Sequence, residues 1–173
     1  KEVAIEAGQI YYKDAASGLE FNLSQVNFNS DTIKANHDTN MSLDAVIALP
    51  ANNLQGQLEA SWVYQQKLPG TSPTLLFDEL SFDGQLNDVP LQLDSQGTNR
   101  IDLAKDQLNI AQLSLSYGAL TLETPVMGQQ LTDRLSLSGE LTINPFTLDA
   151  LLESMGSSLE NEADNLMSGK MKW

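Results

Sequence analysis

The residues that could do chemistry are few, and the first of them is a single histidine. His37 lies in the stretch KANHDTN, among residues that favour turns. A serine nucleophile would need this histidine as its base, and a zinc site would need further His or Cys ligands, which the sequence lacks. We therefore predict that His37 is an exposed loop residue and that the chain holds no metal.

The second candidate is the acidic cluster of Asp78, Glu79 and Asp83. Two carboxyl groups facing one cleft could serve a glycosidase. Glu79 and Asp83, however, share the polar parity of a strand, opposite Leu80 and Phe82, and this predicts a solvated strand face. The sequence also lacks a phosphate-binding Gly-rich loop, a nucleophile elbow and a calcium loop. We predict no catalytic residues, no cofactor and no enzymatic activity.

Composition excludes several classes of partner. The chain has 23 acidic and nine basic residues, for a formal net charge of −14. Such a chain repels phosphates, so we expect no binding to nucleic acid and no electrostatic docking on anionic membranes. It has no cysteine and therefore no disulfide framework.

The elements that would position any site are predicted to be strands, because apolar residues recur with a period of two. Turn-forming residues such as NHDTN, ND, SQG and MGQQ separate these runs. The pattern predicts many short strands with one apolar and one polar face. The clearest runs are Val3–Ala7, Leu19–Leu23, Met41–Ala45, Leu54–Ala60, Leu80–Leu86, Val89–Leu93, Leu113–Tyr117 and Leu135–Ile143.

Two stretches interrupt the pattern. KLPGTSPT, residues 67–74, holds two prolines and a glycine and predicts a possible internal break. Residues 157–173 are polar with few apolar anchors, which predicts a linker or a frayed terminal segment. The main β region is therefore expected to cover residues 1–156.

One helix is predicted near residues 145–155, in INPFTLDALLESMG. Asn144 is the expected N-cap, with Pro145 at the first helical position. The apolar face has the spacing i, i+3, i+4, i+7, and Gly156 supplies the stop. The face consists of Leu148, Leu151, Leu152 and Met155.

Three stretches together resemble the AsmA-like family of bacterial envelope proteins, which is related to TamB-type proteins. The first is VAIEAGQIYYKDAASGLEFNLSQVNF, which is similar to a strand pair of that family. The second is the Gly-punctuated run LSFDGQLNDVPLQLDSQGTNRIDLAKDQLNIAQLSLSYGALTLE. The third is LSLSGELTINPFTLDALLESMG, a strand followed by a short Leu-rich helix.

The resemblance implies a curved β-sheet in the periplasm, in a full-length protein anchored in the inner membrane. It also implies roles in outer-membrane assembly and in phospholipid transport between membranes. The expected fold is mainly β: a curved, mostly antiparallel meander sheet, either an open trough or sandwich-like, with one short helix. The expected partners are phospholipid acyl chains and the remainder of the full-length chain.

Five residues are the candidates for a groove that holds acyl chains, because each set has a single parity and no charge. They are Leu91, Leu93, Leu113, Leu115 and Tyr117. The same alternation suits a filled β-sandwich that acts as a structural or interaction module without ligand, so this alternative stays open. Exposed strand edges of a trough would also favour an edge-mediated homo-oligomer.

Overall fold

The strands of the molecule form one antiparallel sheet. The computed structural model describes residues 2–14, 20–34, 36–67, 71–131, 134–157 and 166–173. Within these ranges the sheet has eleven strands. They are β1 Val3–Lys13, β2 Glu20–Ser30, β3 Thr39–Leu49, β4 Leu54–Gln65, β5 Thr74–Leu86, β6 Val89–Gln96, β7 Asn99–Asp102, β8 Gln107–Tyr117, β9 Leu120–Gln129, β10 Ser136–Thr147 and β11 Leu166–Lys172.

The strand order is a meander, in which each strand pairs with the strands next to it in sequence. The exception is β7, which continues the line of β6 and pairs with β5 and β8. The sheet thus has ten strand positions, with β1 at one edge and β11 at the other. The predicted mainly β, antiparallel meander is confirmed. The described strands belong to one sheet and not to two stacked sheets.

The two faces of the sheet differ in chemistry. Leu58 on β4 pairs with Phe82 on β5, which pairs with Leu93 on β6, so directly opposed apolar side chains share a face. On the other face Glu59 pairs with Ser81, which pairs with Asp94. Because successive residues of a strand point to opposite sides, the period-two pattern sorts apolar and polar residues onto these faces.

Bulges interrupt many of the strand pairs near the middle of the strands. Register shifts occur in the pairs β1–β2, β2–β3, β4–β5, β8–β9 and β10–β11. A bulge adds one residue to a strand and bends it. On β5 it lets Phe77 and Leu80, three residues apart, lie on the same face, opposite Trp62 and Ala60. The bulge thus keeps the apolar residues of both halves of β5 on one face of the sheet.

On the apolar face, side chains from strands that are not neighbours come into contact. The rings of Phe28 on β2 and Trp62 on β4 have centroids 6.2 Å apart. Strands two positions apart in a sheet are separated by about 9.6 Å. The two side chains therefore converge above β3, and we call the face on which they meet the concave face.

The concave face is not filled by a second layer. Among the described residues only five apolar side chains are buried: Val26, Ala45, Ala60, Val89 and Val126. The solvent-accessible surface is 11194 Å², whereas a compact monomer of this length exposes about 8,300 Å². The excess surface is that of an open curved sheet.

Helix α1, Leu148–Ser154, follows β10 directly and is shorter than predicted. Its N-cap is Thr147, whose hydroxyl accepts a hydrogen bond from the Ala150 N–H at 3.2 Å. The prediction of Asn144 as cap and Pro145 as first helical residue was wrong, because both extend β10. β10 gains its hydrogen bonds from β9 and β11, and this pairing outweighs the local capping preference.

The C-terminal end of α1 rests on the turn between β8 and β9. The Ser154 hydroxyl accepts a hydrogen bond from the Ala119 N–H at 3.2 Å and donates one to the Leu151 carbonyl at 2.7 Å. It also lies where a side chain on Gly118 would project, and Gly118 has a φ of +54°. The helix thus covers one end of the sheet beside β8 and β9.

The predicted linker at 157–173 was wrong for its last part. Residues 166–172 form β11, which pairs with β10 from Leu166↔Thr147 to Lys172↔Glu140. Met167, Gly169 and Met171 occupy alternate positions of β11, opposite Phe146, Ile143 and Leu141 of β10. Residues 158–165 lie outside the described part.

The stretch 67–74 connects two neighbouring strands of the same sheet. β4 ends at Gln65 and β5 begins at Thr74, and the two pair over their whole length. The sheet therefore continues across this connection, of which residues 68–70 are outside the description. No helix in the described ranges has the length and hydropathy that a membrane crossing requires.

Candidate functional site

The five predicted groove residues lie together on the apolar face. Leu91 is directly opposite Tyr117, and Leu93 is directly opposite Leu115. Leu113 continues the same face of β8, opposite Ser95. All five are half-buried. The structure thus brings the predicted residues together through the β6–β8 register, while leaving part of each side chain accessible to solvent.

These residues belong to a longer feature, which we call the central apolar row. It crosses seven strands, from β3 to β10, and each member is directly opposite the next. Its ends are Ala45 and Ile143, and Leu93 and Leu115 lie in the middle. The row consists of Ala45, Leu58, Phe82, Leu93, Leu115, Leu122 and Ile143.

The next row contains a gap in its side chains. Gly56 on β4 faces Gly84 on β5, and Gly84 faces Leu91 on β6. The ring of Phe82 folds over the two glycines: its Cζ would be 2.5 Å from a Cβ on Gly56 and 2.8 Å from one on Gly84. Because glycine has no side chain, the surface of the concave face is depressed here, and the Phe82 ring covers the exposed backbone.

An aromatic group lines the other half of the face. Trp62 lies between Phe28 and Phe77, with ring centroids 6.2 and 5.8 Å away. Sequence reasoning missed this group as part of the site. The signal in the sequence was a change of parity along β5: the apolar residues fall at odd positions up to Phe77 and at even positions from Leu80. This change marks the bulge that brings Phe77 onto the apolar face.

The opposite face carries two of the three carboxylates that were considered for catalysis, Glu79 and Asp83, while the third, Asp78, is the exposed extra residue of the β5 bulge. Glu59, Asp83 and Asp94 line a shallow polar depression of about 370 Å³. The Gln57 amide donates to Glu59 at 2.8 Å, and the Gln92 amide donates to Asp83 at 3.3 Å. Glu79 and Asp83 are exposed on the polar face, as predicted.

His37 is exposed in the connection between β2 and β3, as predicted, and its Nδ1 lies 2.9 Å from the Asn36 carbonyl oxygen. Across the residues that the structure describes, no three His, Cys, Asp or Glu side chains are grouped to hold a metal ion.

A buried carboxylate with two basic neighbours lies at the end of β7. Asp102 is 5% exposed and accepts a hydrogen bond from Arg100 at 2.7 Å. The Lys105 backbone N–H donates to the same carboxylate at 3.1 Å, and the Lys105 ammonium is 3.5 Å away. Burial works to raise the pKa of Asp102, but the Lys105 hydrogen bond and the two positive charges outweigh it and hold that pKa below its usual value. This cluster fixes the turn after β7.

The central apolar row offers contact surface without charge. No protein-family model, curated protein or solved structure matches the chain.

Proposed function

We propose that this chain is a periplasmic, non-enzymatic segment of an AsmA-like protein that binds phospholipid acyl chains along the concave face of its sheet. In the full-length protein, anchored in the inner membrane, it would take part in outer-membrane assembly by carrying phospholipid between membranes. The observation that carries the proposal is a continuous apolar face whose side chains are half-buried and accessible.

The dimensions of the central apolar row support an acyl-chain ligand. Seven strands spaced about 4.8 Å apart give a row of about 29 Å. One leaflet of a bilayer contributes about 15 Å of hydrocarbon thickness. The row is therefore long enough for an acyl chain laid across the strands.

The energetics fit a ligand that moves along the face. Burying one methylene contributes about 0.8 kcal/mol, so even partial contact retains an acyl chain. Leu93, Leu115 and Leu122 offer broad apolar contact without a charge that would fix the position of a headgroup. The acidic convex face keeps such a sheet soluble while its concave face holds hydrocarbon.

The test is site-specific photocrosslinking. A photoreactive phenylalanine analogue is placed at Leu93, on the apolar face, and separately at Asp94, its neighbour on the polar face. Both proteins are mixed with vesicles of radiolabelled phospholipid and irradiated. We expect lipid adducts at position 93 and about background at position 94.

Two outcomes would contradict the proposal. Equal labelling at both positions would mean non-specific contact with vesicles. An absence of labelling at position 93, together with no lipid extracted from the purified protein, would favour the structural module without ligand.

A further inference from the structure

A small polar cavity lies where β3 begins and β4 ends. Its volume is about 200 Å³. The register pairs Thr39, the first residue of β3, with Tyr64 near the end of β4, and so brings the flanking connections together. The Asn36 N–H donates to the Gln66 carbonyl at 3.0 Å and joins the two walls. The cavity is lined by Asn36, His37, Asp38, Gln65, Gln66 and Lys67.

The cavity holds one positive and one negative side chain that form no ion pair with each other. None of the ion pairs in the described part of the chain involves Lys67. Asp38 accepts a hydrogen bond from the Gln65 amide at 2.9 Å, and a carboxylate can accept several more. Both side chains are exposed, so a ligand in the cavity can contact each of them.

His37 adds a hydrogen-bond acceptor to the cavity. Its Nδ1 lies 2.9 Å from the Asn36 carbonyl oxygen, and because a carbonyl only accepts, Nδ1 carries the proton. In the neutral ring Nε2 is then the acceptor. Asp38 and His37 can thus both accept hydrogen bonds from an ammonium group, while Lys67 can donate to an anion.

The cavity adjoins the aromatic part of the concave face. Tyr64 lies on that face, two residues from Trp62, and its hydroxyl donates to the Gln66 amide oxygen at 3.2 Å. A tyrosine with an apolar body and a hydrogen-bonded hydroxyl suits the boundary between hydrocarbon and headgroups. An acyl chain that fills one leaflet is about 15 Å long and spans about four strand residues. From Tyr64 such a chain reaches Ala60, two residues from Leu58 of the central apolar row.

We propose that this cavity binds the zwitterionic headgroup of a phospholipid, with phosphoethanolamine as the headgroup class. The phosphate accepts from the Lys67 ammonium, and the ligand ammonium donates to Asp38 and His37. The inference rests on the proposed function, because the acyl chains of the same lipid lie on the concave face. An anionic phosphoglycerol headgroup has no ammonium to offset the repulsion between its phosphate and Asp38, so the cavity favours the zwitterion.

Nuclear magnetic resonance tests the headgroup site directly. His37 is the only histidine in the sequence, so its ring protons give a single reporter in the cavity. The signal is followed during titration with glycerophosphoethanolamine, glycerophosphoglycerol, inorganic phosphate and a short-chain diacyl phosphatidylethanolamine. We expect a saturable shift with glycerophosphoethanolamine and binding at least about threefold weaker for the phosphoglycerol compound and for phosphate. The diacyl lipid should bind at lower concentration, because its acyl chains add contact with the concave face.

Two variants separate the charges. Asp38→Asn should abolish the preference for the ammonium-bearing compound, and Lys67→Gln should weaken binding of all the soluble ligands, since each removes a charged partner. The matched controls are Asp88→Asn and Lys34→Gln, which change the net charge equally at exposed residues that do not line the cavity. Both controls should bind as the parent protein does.

Three outcomes would count against the proposal, and they are distinguishable. An unchanged His37 signal with glycerophosphoethanolamine would overturn the headgroup site, even where lipid labels position 93 and the proposed function stands. Equal binding of inorganic phosphate would indicate a general anion site. A diacyl lipid that binds no more tightly than the soluble headgroup, with no labelling at position 93, would contradict the proposed function and leave a site for the free headgroup compound.

Discussion

Gly56 and Gly84 face each other across β4 and β5, and the ring of Phe82 lies over both. A Cβ on Gly56 would lie 2.5 Å from the Asp83 carbonyl oxygen and 2.6 Å from the Gly84 Cα. The two backbones therefore approach each other in a way that only glycine permits. This close contact sits next to the central apolar row.

We expect Gly84→Ala to destabilise the protein by about 1–3 kcal/mol, because the new methyl group overlaps the Gln55 carbonyl and the Phe82 ring. Gly169→Ala on β11 is the control, since its Cβ would meet only Ile143 Cδ1, at 3.6 Å. Chemical denaturation measures both. Equal free energies of unfolding for the two variants would show that the glycine pair is not tightly packed.

The helix cap gives a second prediction. Thr147→Ala removes the side-chain oxygen that accepts the Ala150 N–H, and we expect a loss of about 1 kcal/mol. Asn144→Ala removes only a hydrogen bond to Glu123 at 3.1 Å, away from the helix, and should cost less. Denaturation of both variants ranks them. A larger loss of stability for Asn144→Ala would instead support a helix that begins at Asn144, as the sequence alone predicts.

The sequence predicted the class of fold because alternation is a local signal. The runs around Leu91 and Leu115 sort onto one face in the structure as their parity requires. The start of the helix could not be predicted, since Asn144 and Pro145 favour a helix locally while neighbouring strands hold them in β10. The aromatic group around Trp62 depends on a bulge that changes the parity of β5, and its partners are distant in sequence.

The Asp102 cluster predicts how stability depends on pH. The pKa of Asp102 is lowered in the folded protein, so its stabilising contribution is complete above the ordinary value of 3.8 that it has in the unfolded chain. The contribution is lost as the pH falls below that value and through the lower folded pKa. Asp102→Asn should be less stable at neutral pH and lose less stability on acidification.

Asp88→Asn is the control for this measurement, because Asp88 is exposed in a turn with a φ of +65°, a conformation that asparagine also adopts. Urea denaturation at pH 7 and near pH 3 compares the variants with the parent protein. If Asp102→Asn and the parent protein lost the same stability between pH 7 and pH 3, Asp102 would not be the cause of the loss in acid.

The last prediction separates an open groove from a dry core through Leu115. Leu115 lies between Leu93 and Leu122 in the central apolar row and is half-buried. On an open concave face the carboxylate of Leu115→Asp keeps contact with water, so we expect a loss of only about 2 kcal/mol.

Ser116→Asp is the matched control, because Ser116 lies on the polar face between Gln92 and Thr121. It introduces the same carboxylate one residue along the same strand, where the Thr121 hydroxyl, 3.1 Å from the Ser116 hydroxyl, can donate to it, and we expect a smaller loss than for Leu115→Asp, of about 0.5–1 kcal/mol. Phospholipid extraction from both purified proteins should recover less lipid from Leu115→Asp and an unchanged amount from Ser116→Asp. Complete unfolding of Leu115→Asp would instead indicate a closed core, because an unpaired buried carboxylate is far more costly than a partly hydrated one. Equal lipid recovery from the two variants, with both proteins folded, would place any bound lipid away from the central apolar row.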